Sequence, residues 1–451
     1  MRTYGTLVLL VLAACATTGF SQAKVLGLEE AKQIALERNL SVVQAQNYVQ
    51  SAQSQVLAAY GSYLPTLSAS AGWTRNQSES PVAIQTAIVQ GIPFTAATGG
   101  ITAQNSFSTG ASLNYTLFDG FRREGNFGAA KSNAQSVQDQ AVRMRQTIVY
   151  QTESSYLNVL RNTQLMKVNE ENLKRDNKQL ERIQESNRVG ASAPADVYRQ
   201  QSQVAVDELA LIQAQSTLDK SRADLAAFIG LDATADYEIA DSSISLQISK
   251  EELDSTALKY STIGELSKRA LAARPDYLSA SEQLAASESG VSAARAGYFP
   301  SVSAFAGYGF YHNELTGLTQ YKNMNWGISI RWNIFDAFQT NQSLQGAVAT
   351  QRNAEISLAQ TAITVNVDVK KAMLDLDAAR KQYEVSLTGL HSATEDQKIS
   401  QERYNLGAGT LLDLLVASAN LVNAQANQVN AVYNYVISKR NVEYVLGERQ
   451  Y

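Results

Sequence analysis

SLNYTLFDGFRRE, residues 112–124, and SIRWNIFDAFQT, residues 329–340, spell one junction twice. In each, a run of alternating apolar and polar residues meets Phe-Asp, and a long polar stretch follows. Laying Phe118-Asp119 on Phe335-Asp336 also lays Gly190 on Gly407, Asp196 on Asp413 and Gly230 on Gly447, at one constant spacing and without a gap. Upstream, Tyr63-Leu64-Pro65 falls on Tyr298-Phe299-Pro300 at a somewhat longer spacing, which also carries Glu30 to Glu265 and Ala58-Ala59 to Ala293-Ala294. The extra residues of the first copy lie between Gly72 and Phe107, in a Gly/Thr-rich stretch read here as a loop. Two copies of one unit, spanning roughly 28–230 and 263–447, therefore make up most of the chain. The period is too long for a solenoid repeat.

Within each copy the hydrophobic period switches. Leu67, Ala69, Ala71 and Trp73 are the apolar members of one run, and Phe107, Ala111, Leu113, Tyr115 and Leu117 of the next. The second copy answers with Val302, Ala304, Ala306, Tyr308 and Phe310, then Trp326, Ile328, Ile330, Trp332 and Ile334. Strict two-residue alternation predicts four strands of about ten residues, with one wet face and one greasy face. Strands of that length, tilted, match the wall of an outer-membrane barrel. Tyr63, Phe118, Phe121, Tyr298, Phe299, Phe335 and Phe338 gather at the strand ends, where an aromatic girdle belongs. Four strands cannot close a barrel, and lipid tolerates no open edges, so several chains must share one. Three copies would give twelve strands.

Helices flank these strands. The long run from Arg122 to Arg188 contains no Pro, and Asn341 to Leu406 has the same form. Each run ends in a Gly-bearing turn and is followed by a further, shorter helical stretch. Mixed faces, with Leu, Val and Ala seams opposite Gln, Asn and Ser, suit a water-filled helical tube better than a solid bundle. At Phe118-Asp119 and Phe335-Asp336 a membrane strand gives way to a helix. The Asp is placed to cap the new helix, with Gln339 completing a capping-box pattern after Asp336.

Composition removes several classes. A net charge of −4 offers no nucleic-acid footprint, so no nucleic-acid partner is expected. One Cys and two His cannot build a protein metal cage, and neither a metal nor any other cofactor is expected. No Ser/His/Asp arrangement is present, and His312 and His391 fall in a loop and on a helix, so the chain does not read as an enzyme. Met1-Arg2 followed by the apolar run Gly5–Ala14 reads as a signal for export. Two processing readings stay open: cleavage after Ala23, or acylation of Cys15 as a lipid anchor. The expected division is a signal peptide over 1–23, a first unit over 24–230, a linking segment over 231–262 and a second unit over 263–451.

The duplicated helix–strand–strand–helix–helix unit, the YLP and YFP strand entries, the FDG-like junctions and the RYNLGAGTLLDLL turn together resemble the TolC-type outer-membrane efflux proteins. The resemblance spans nearly the whole mature chain. It implies a mainly α chain with membrane β: a long coiled α-helical periplasmic barrel, plus four strands per protomer in a shared, trimeric, twelve-stranded outer-membrane barrel. It further implies an exit duct for a tripartite pump or type I secretion system, set in outer-membrane lipid. The expected partners are two further copies of the chain, a periplasmic adaptor and an inner-membrane transporter. The linking segment would join a mixed α/β belt. The tips Val189-Gly190-Ala191-Ser192 and Leu406-Gly407-Ala408-Gly409-Thr410 would meet the adaptor.

By the same resemblance, Tyr404 and Asp196 form a link between neighbouring helices of the closed gate, and Asp413 an acidic ring at the pore constriction. Two positions depart from the family pattern. Gly409 stands where a basic residue is expected, and Val416 at the second acidic position, which implies a looser and less charged gate. Asp196 and Asp413 also lie early in their helices, where an acid stabilises the macrodipole without any pore role. A trimeric surface adhesin is the alternative reading, and it would not require two matched units. The cargo leaves no mark on the sequence.

Overall fold

The structure, a computed structural model, describes residues 24–235, 237–239 and 247–448. The signal segment and Cys15 lie outside the described residues. The elements run β1 Lys24–Val25, α1 Leu28–Arg38, α2 Leu40–Gly61, β2 Thr66–Val89, β3 Ile92–Phe118, α3 Arg122–Arg188 and α4 Pro194–Ile229. They continue with β4 Tyr237–Glu238, α5 Lys250–Lys259, α6 Ile263–Ala273, α7 Pro275–Arg295, β5 Ser301–His312, β6 Lys322–Arg331, α8 Gln339–Asn405 and α9 Leu411–Val445. The duplication is visible in this order, and α3 and α8 are each 67 residues long. No helix among the described residues is long and apolar enough to cross a membrane. Two compact units result, each drawing on both sequence repeats: Tyr48–Gln138 with Ser279–Gln360, and the described residues of the remainder.

Besides a smaller cluster at the helix tips, the helical unit carries two large core clusters. One gathers Leu26, Ile148, Tyr156, Leu225 and Ile229, the other Leu266, Val365, Tyr383, Val432 and Val442. The first helix of each copy is broken, and the two breaks have different causes. At Asn39 the side chain accepts from Ser41 N at 2.9 Å and donates to Phe228 O at 2.8 Å, replacing helical bonds with local ones. At Arg274 the following Pro275 excludes the helical conformation, and ψ is 122°. Arg274, buried, then pairs with Asp276 at 2.6 Å and Asp368 at 3.0 Å. Gly230 and Gly447 end α4 and α9 with φ of 80° and 69°, and each lies against the break of its own copy. A Cβ on Gly230 would come within 3.0 Å of Arg38, and one on Gly447 within 3.2 Å of Ala273. Within the linking segment, β4 pairs in parallel with β1.

The strand-bearing unit holds one sheet in the order β2-β3-β5-β6. Register fixes its two faces. Leu67, Leu113, Ala306 and Trp326 form one cross-strand row, and the next row is Ser68, Ser112, Gly307 and Asn325. The apolar face is uncovered: Leu67 is 76 % exposed and Trp326 76 %. Among the described residues the sheet leaves this face and both outer edges unpartnered, an arrangement that hydrocarbon does not accept from one chain alone.

The expectation of four short strands holds for β5 and β6 and fails for β2 and β3, which run 24 and 27 residues. The stretch between Gly72 and Phe107, expected as a loop, is a continuous hairpin. Gln90 (φ 54°) and Gly91 (φ 80°) supply the two left-handed residues of a tight turn whose twist matches the strands. Val82, Ile84, Thr86, Ile88 and Thr95 are strand formers. The Gly-rich piece that suggested a loop is a bulge, where register slips between Ser80 and Ala83 beside Pro81. A Cβ on Gly99 would run into the Pro81 carbonyl.

Both strand-to-helix junctions fold alike. Asp119 Oδ2 accepts from Arg123 N at 3.2 Å, and Asp336 Oδ2 from Thr340 N at 2.8 Å. The Thr340 hydroxyl donates to the second Asp as well. Thr340 thus supplies both donors in a one-way cap, and the capping box expected with Gln339 is not what closes this junction. Gly120-Phe121 (φ 72° and 70°) and Ala337-Phe338 (φ 52° and 67°) are consecutive left-handed residues, which for a non-glycine costs about 1–2 kcal/mol each. Edge-to-face ring pairs accompany both turns, Phe118 on Phe121 at 5.5 Å and Phe335 on Phe338 at 5.7 Å.

Candidate functional site

Two helix tips carry the residues singled out for function. α3 ends in Val189-Gly190, where Gly190 N donates to Asn187 O at 2.9 Å and Ala191 N to Ser186 O at 2.8 Å. α8 ends in Leu406-Gly407, where Gly407 N donates to Tyr404 O at 3.0 Å and Ala408 N to Arg403 O at 2.8 Å. These are two copies of the Schellman motif, in which a left-handed glycine turns the chain and satisfies the last helical carbonyls. Gly190 and Gly407 have φ of 80° and 72°. Val189 and Leu406 are thereby held in solvent, at 64 % and 81 % exposure.

The two restarts differ. Ala193, at the N-cap of α4, has no side chain to cap with, and Pro194 opens the helix with the one residue lacking an N–H. The first tip is instead braced by side chains that reach carbonyls: Asn187 Nδ2 donates to Ser192 O at 2.8 Å, and Ser192 Oγ to Ile183 O at 3.2 Å. Thr410 caps α9 with a full capping box. Asp413 N donates to Thr410 Oγ1 at 3.2 Å, and the Asp413 carboxylate accepts from Thr410 N at 3.1 Å and from its hydroxyl at 2.8 Å. The Thr410 backbone and hydroxyl bonds hold the Asp413 carboxyl below the usual Asp range. The Thr-x-x-Asp spacing announced this box, and the sequence reading passed over it.

Ile183 of α3 packs with Leu411 and Leu414 of α9, joined by Val197, Tyr404 and Leu415, so one apolar cluster pins both tips. Beside it lies a polar cleft of about 510 Å³ whose lining includes Arg182, Asp196, Tyr404, Asn405 and Gly409. Tyr404 and Asp196, expected as a pair, do share this cleft. Burial raises the Tyr404 hydroxyl's pKa, and the Asp196 charge adds to that rise. Among the described residues no hydrogen bond joins the two. Asp196 Oδ1 accepts from Arg199 Nη1 at 3.0 Å, one turn along its own helix. That i,i+3 spacing was legible and was missed. Gly409 leaves room for Arg403: a Cβ there would sit 3.1 Å from Arg403 Cβ. Arg403 Nη2 in turn donates to Ala408 O at 3.3 Å. Val416 is 53 % exposed.

The family model described as outer membrane efflux protein matches residues 31–231 and 266–448. The chain belongs to the outer membrane efflux protein family. It is an outer-membrane channel with a periplasmic helical tunnel, and not an enzyme. The efflux protein is 26 % identical over 378 residues to the pyoverdine export outer membrane protein OpmQ of Pseudomonas aeruginosa, covering 84 % of this chain and 76 % of that one. Identity to the outer membrane protein TolC of Escherichia coli is 23 % over 396 residues, covering 82 % and 76 %. Among solved structures, the outer membrane protein VceC of Vibrio cholerae aligns with a TM-score of 0.76 at 20 % identity, covering 93 % of this efflux protein and 96 % of VceC.

Proposed function

We propose that this efflux protein is the exit duct of a tripartite efflux pump or type I secretion system, working as a homotrimer. In this reading it receives cargo from an inner-membrane transporter through a periplasmic adaptor. The observation that carries the trimer is the four-stranded sheet with an uncovered apolar face and two open edges, which lipid does not accept from one chain alone. Three copies give twelve strands, enough for a solute-conducting barrel. Val189–Ser192 and Leu406–Thr410 are the adaptor contacts in this reading, since the two Schellman turns hold apolar side chains in solvent on rigid helix ends. Asp413 would line the pore as a ring of three carboxylates that attract cations. Asp196 and Tyr404 would tune the gate from the shared cleft. The proposed domain division is the one given by the repeats, with 231–262 as a linking belt segment.

Cysteine crosslinking in cells tests the reading. Ala191→Cys and Ala408→Cys should each capture one adaptor-sized periplasmic protein, whereas the same change on an exposed mid-helix position of α8 should not. Equal capture at all three positions would remove the tips from docking. A stable monomer by mass measurement in detergent would remove the shared barrel. For the gate, Asp413→Ala should abolish cation selectivity in planar bilayers; unchanged selectivity would leave Asp413 as a helix cap only. Conductance itself separates the duct from an adhesin.

A further inference from the structure

Behind the first tip, the seam between α3 and α4 turns polar. Asn172, Asp176 and Gln179 on α3, with Gln200 and Asp207 on α4, are each less than a tenth exposed. Their spacings, three or four residues and seven, place each set on one helix face. Gln200 Nε2 reaches across to the Asp176 carbonyl at 3.1 Å, and Gln203 Nε2 donates to Asp207 Oδ1 at 3.0 Å. The Asp176 and Asp207 carboxyls are both buried, and the Asp207 charge acts on Asp176 across the seam. Asp207 Oδ2, Gln200 Oε1 and Gln179 Oε1 are buried and receive no donor among the described residues. Every orphan in the seam is an acceptor, so the missing component is a donor. Two ionised carboxylates cannot supply one to each other, because each only accepts. Arg175, on the same helix as Asp176, spends its Nη2 on Asn172 Oδ1 at 3.1 Å.

We propose that this seam is a proton-binding site, in which a protonated Asp176 carboxyl donates to Asp207 and ties α3 to α4 behind the first tip. The proton answers the orphaned Asp207 oxygen and leaves one net negative charge on the pair. The charged groups acting on Asp176 are Asp207 from α4 and Arg175 from its own helix; the other polar groups of the seam are the amides of Asn172, Gln179, Gln200 and Gln203. Burial, then the hydrogen bond and charge of Asp207, push Asp176 up to about 7, outweighing Arg175 and the Gln200 amide, which lower it. A raised carboxyl pKa contributes stability that is fully present below the ordinary value of 3.8, declines above it and is lost as pH rises through about 7, where the proton itself leaves. Above neutrality two buried like charges face each other, and the hairpin loosens. The site stands on the α3–α4 hairpin, behind the first tip.

The test uses the full chain in detergent. Infrared spectra should show the carbonyl stretch of a protonated carboxylic acid that titrates near neutral pH and is missing from Asp176→Asn. Amide exchange in 172–188 and 194–207, corrected for intrinsic rates, should rise about tenfold between pH 6 and pH 8, the linkage of one proton. In Asp176→Asn, whose amide is a permanent donor, that rise should vanish. Should Asp176→Asn fail to assemble, Asp207→Asn serves in its place, and removal of the partner charge should lower the midpoint of the band. No protonated-acid band at pH 6, an unchanged rise in Asp176→Asn, or an unmoved midpoint in Asp207→Asn would each overturn the site.

Discussion

The two tips share a backbone and differ in chemistry. Both end a 67-residue helix in the same Schellman turn, with glycines at φ 80° and 72°. The second restarts on a Thr410–Asp413 capping box and rests on Leu411 and Leu414. The first restarts on Pro194 with no side-chain cap, and its helices meet through Asp176, Asp207 and amides. Duplication preserved what geometry demands, a left-handed residue at the turn. It let everything else diverge, because caps and seams can be built in several ways at similar cost.

The largest expected effect lies in the cluster both tips use. Leu414 is 3 % exposed against Ile183; Leu414→Ala should cost about 2–5 kcal/mol and expose both tips to protease. Protection unchanged by that substitution would show the tips to be held independently. Next come the glycines. A Cβ at either Gly190 or Gly407 meets nothing within 4 Å, so Gly190→Ala and Gly407→Ala should each cost only the left-handed penalty, about 1–2 kcal/mol. Unequal losses in thermal unfolding would break the equivalence.

Smaller again is the cap. Thr410→Ala should lose about 1 kcal/mol, and Ala193→Thr should gain a similar amount by building a box with Asp196. The gain should draw Asp196 away from Arg199, and an unaltered Asp196–Arg199 coupling in a double-mutant cycle would refute that. The smallest effect is the sharpest in sign. Asp413 is held low by its cap, so its contribution is present above the ordinary value of 3.8 and lost as pH falls through its lowered pKa. Asp176 behaves oppositely: its stability contribution declines as pH rises above 3.8 and is lost, with the proton, as pH passes through about 7. Amide exchange between pH 6 and 8 should therefore change at the first tip and stay flat at the second.

Much of this was legible beforehand. The constant spacing between the two copies paired Gly190 with Gly407 and Gly230 with Gly447, and all four glycines prove to be left-handed helix ends. Such positions are legible because one residue type fits them without strain. The 80–100 hairpin was misread because glycine marks a bulge as readily as a loop, and only pairing distinguishes the two. Asp196 was paired with Tyr404 by resemblance; the two share a cleft, and the ion pair of Asp196 with Arg199 along its own helix was the part not read.

Alternation and helix length by themselves determined strands with one greasy face, two very long helices and a chain that cannot be whole alone, since period and backbone satisfaction are local properties. Tertiary structure decided which side chains meet. Asp176 and Asp207 stand on different helices, well separated along the chain, and no motif or spacing in the sequence joins them. Only folding α4 back on α3 takes both from water and makes one proton the remaining donor, because burial and the proximity of like charges exist only in three dimensions.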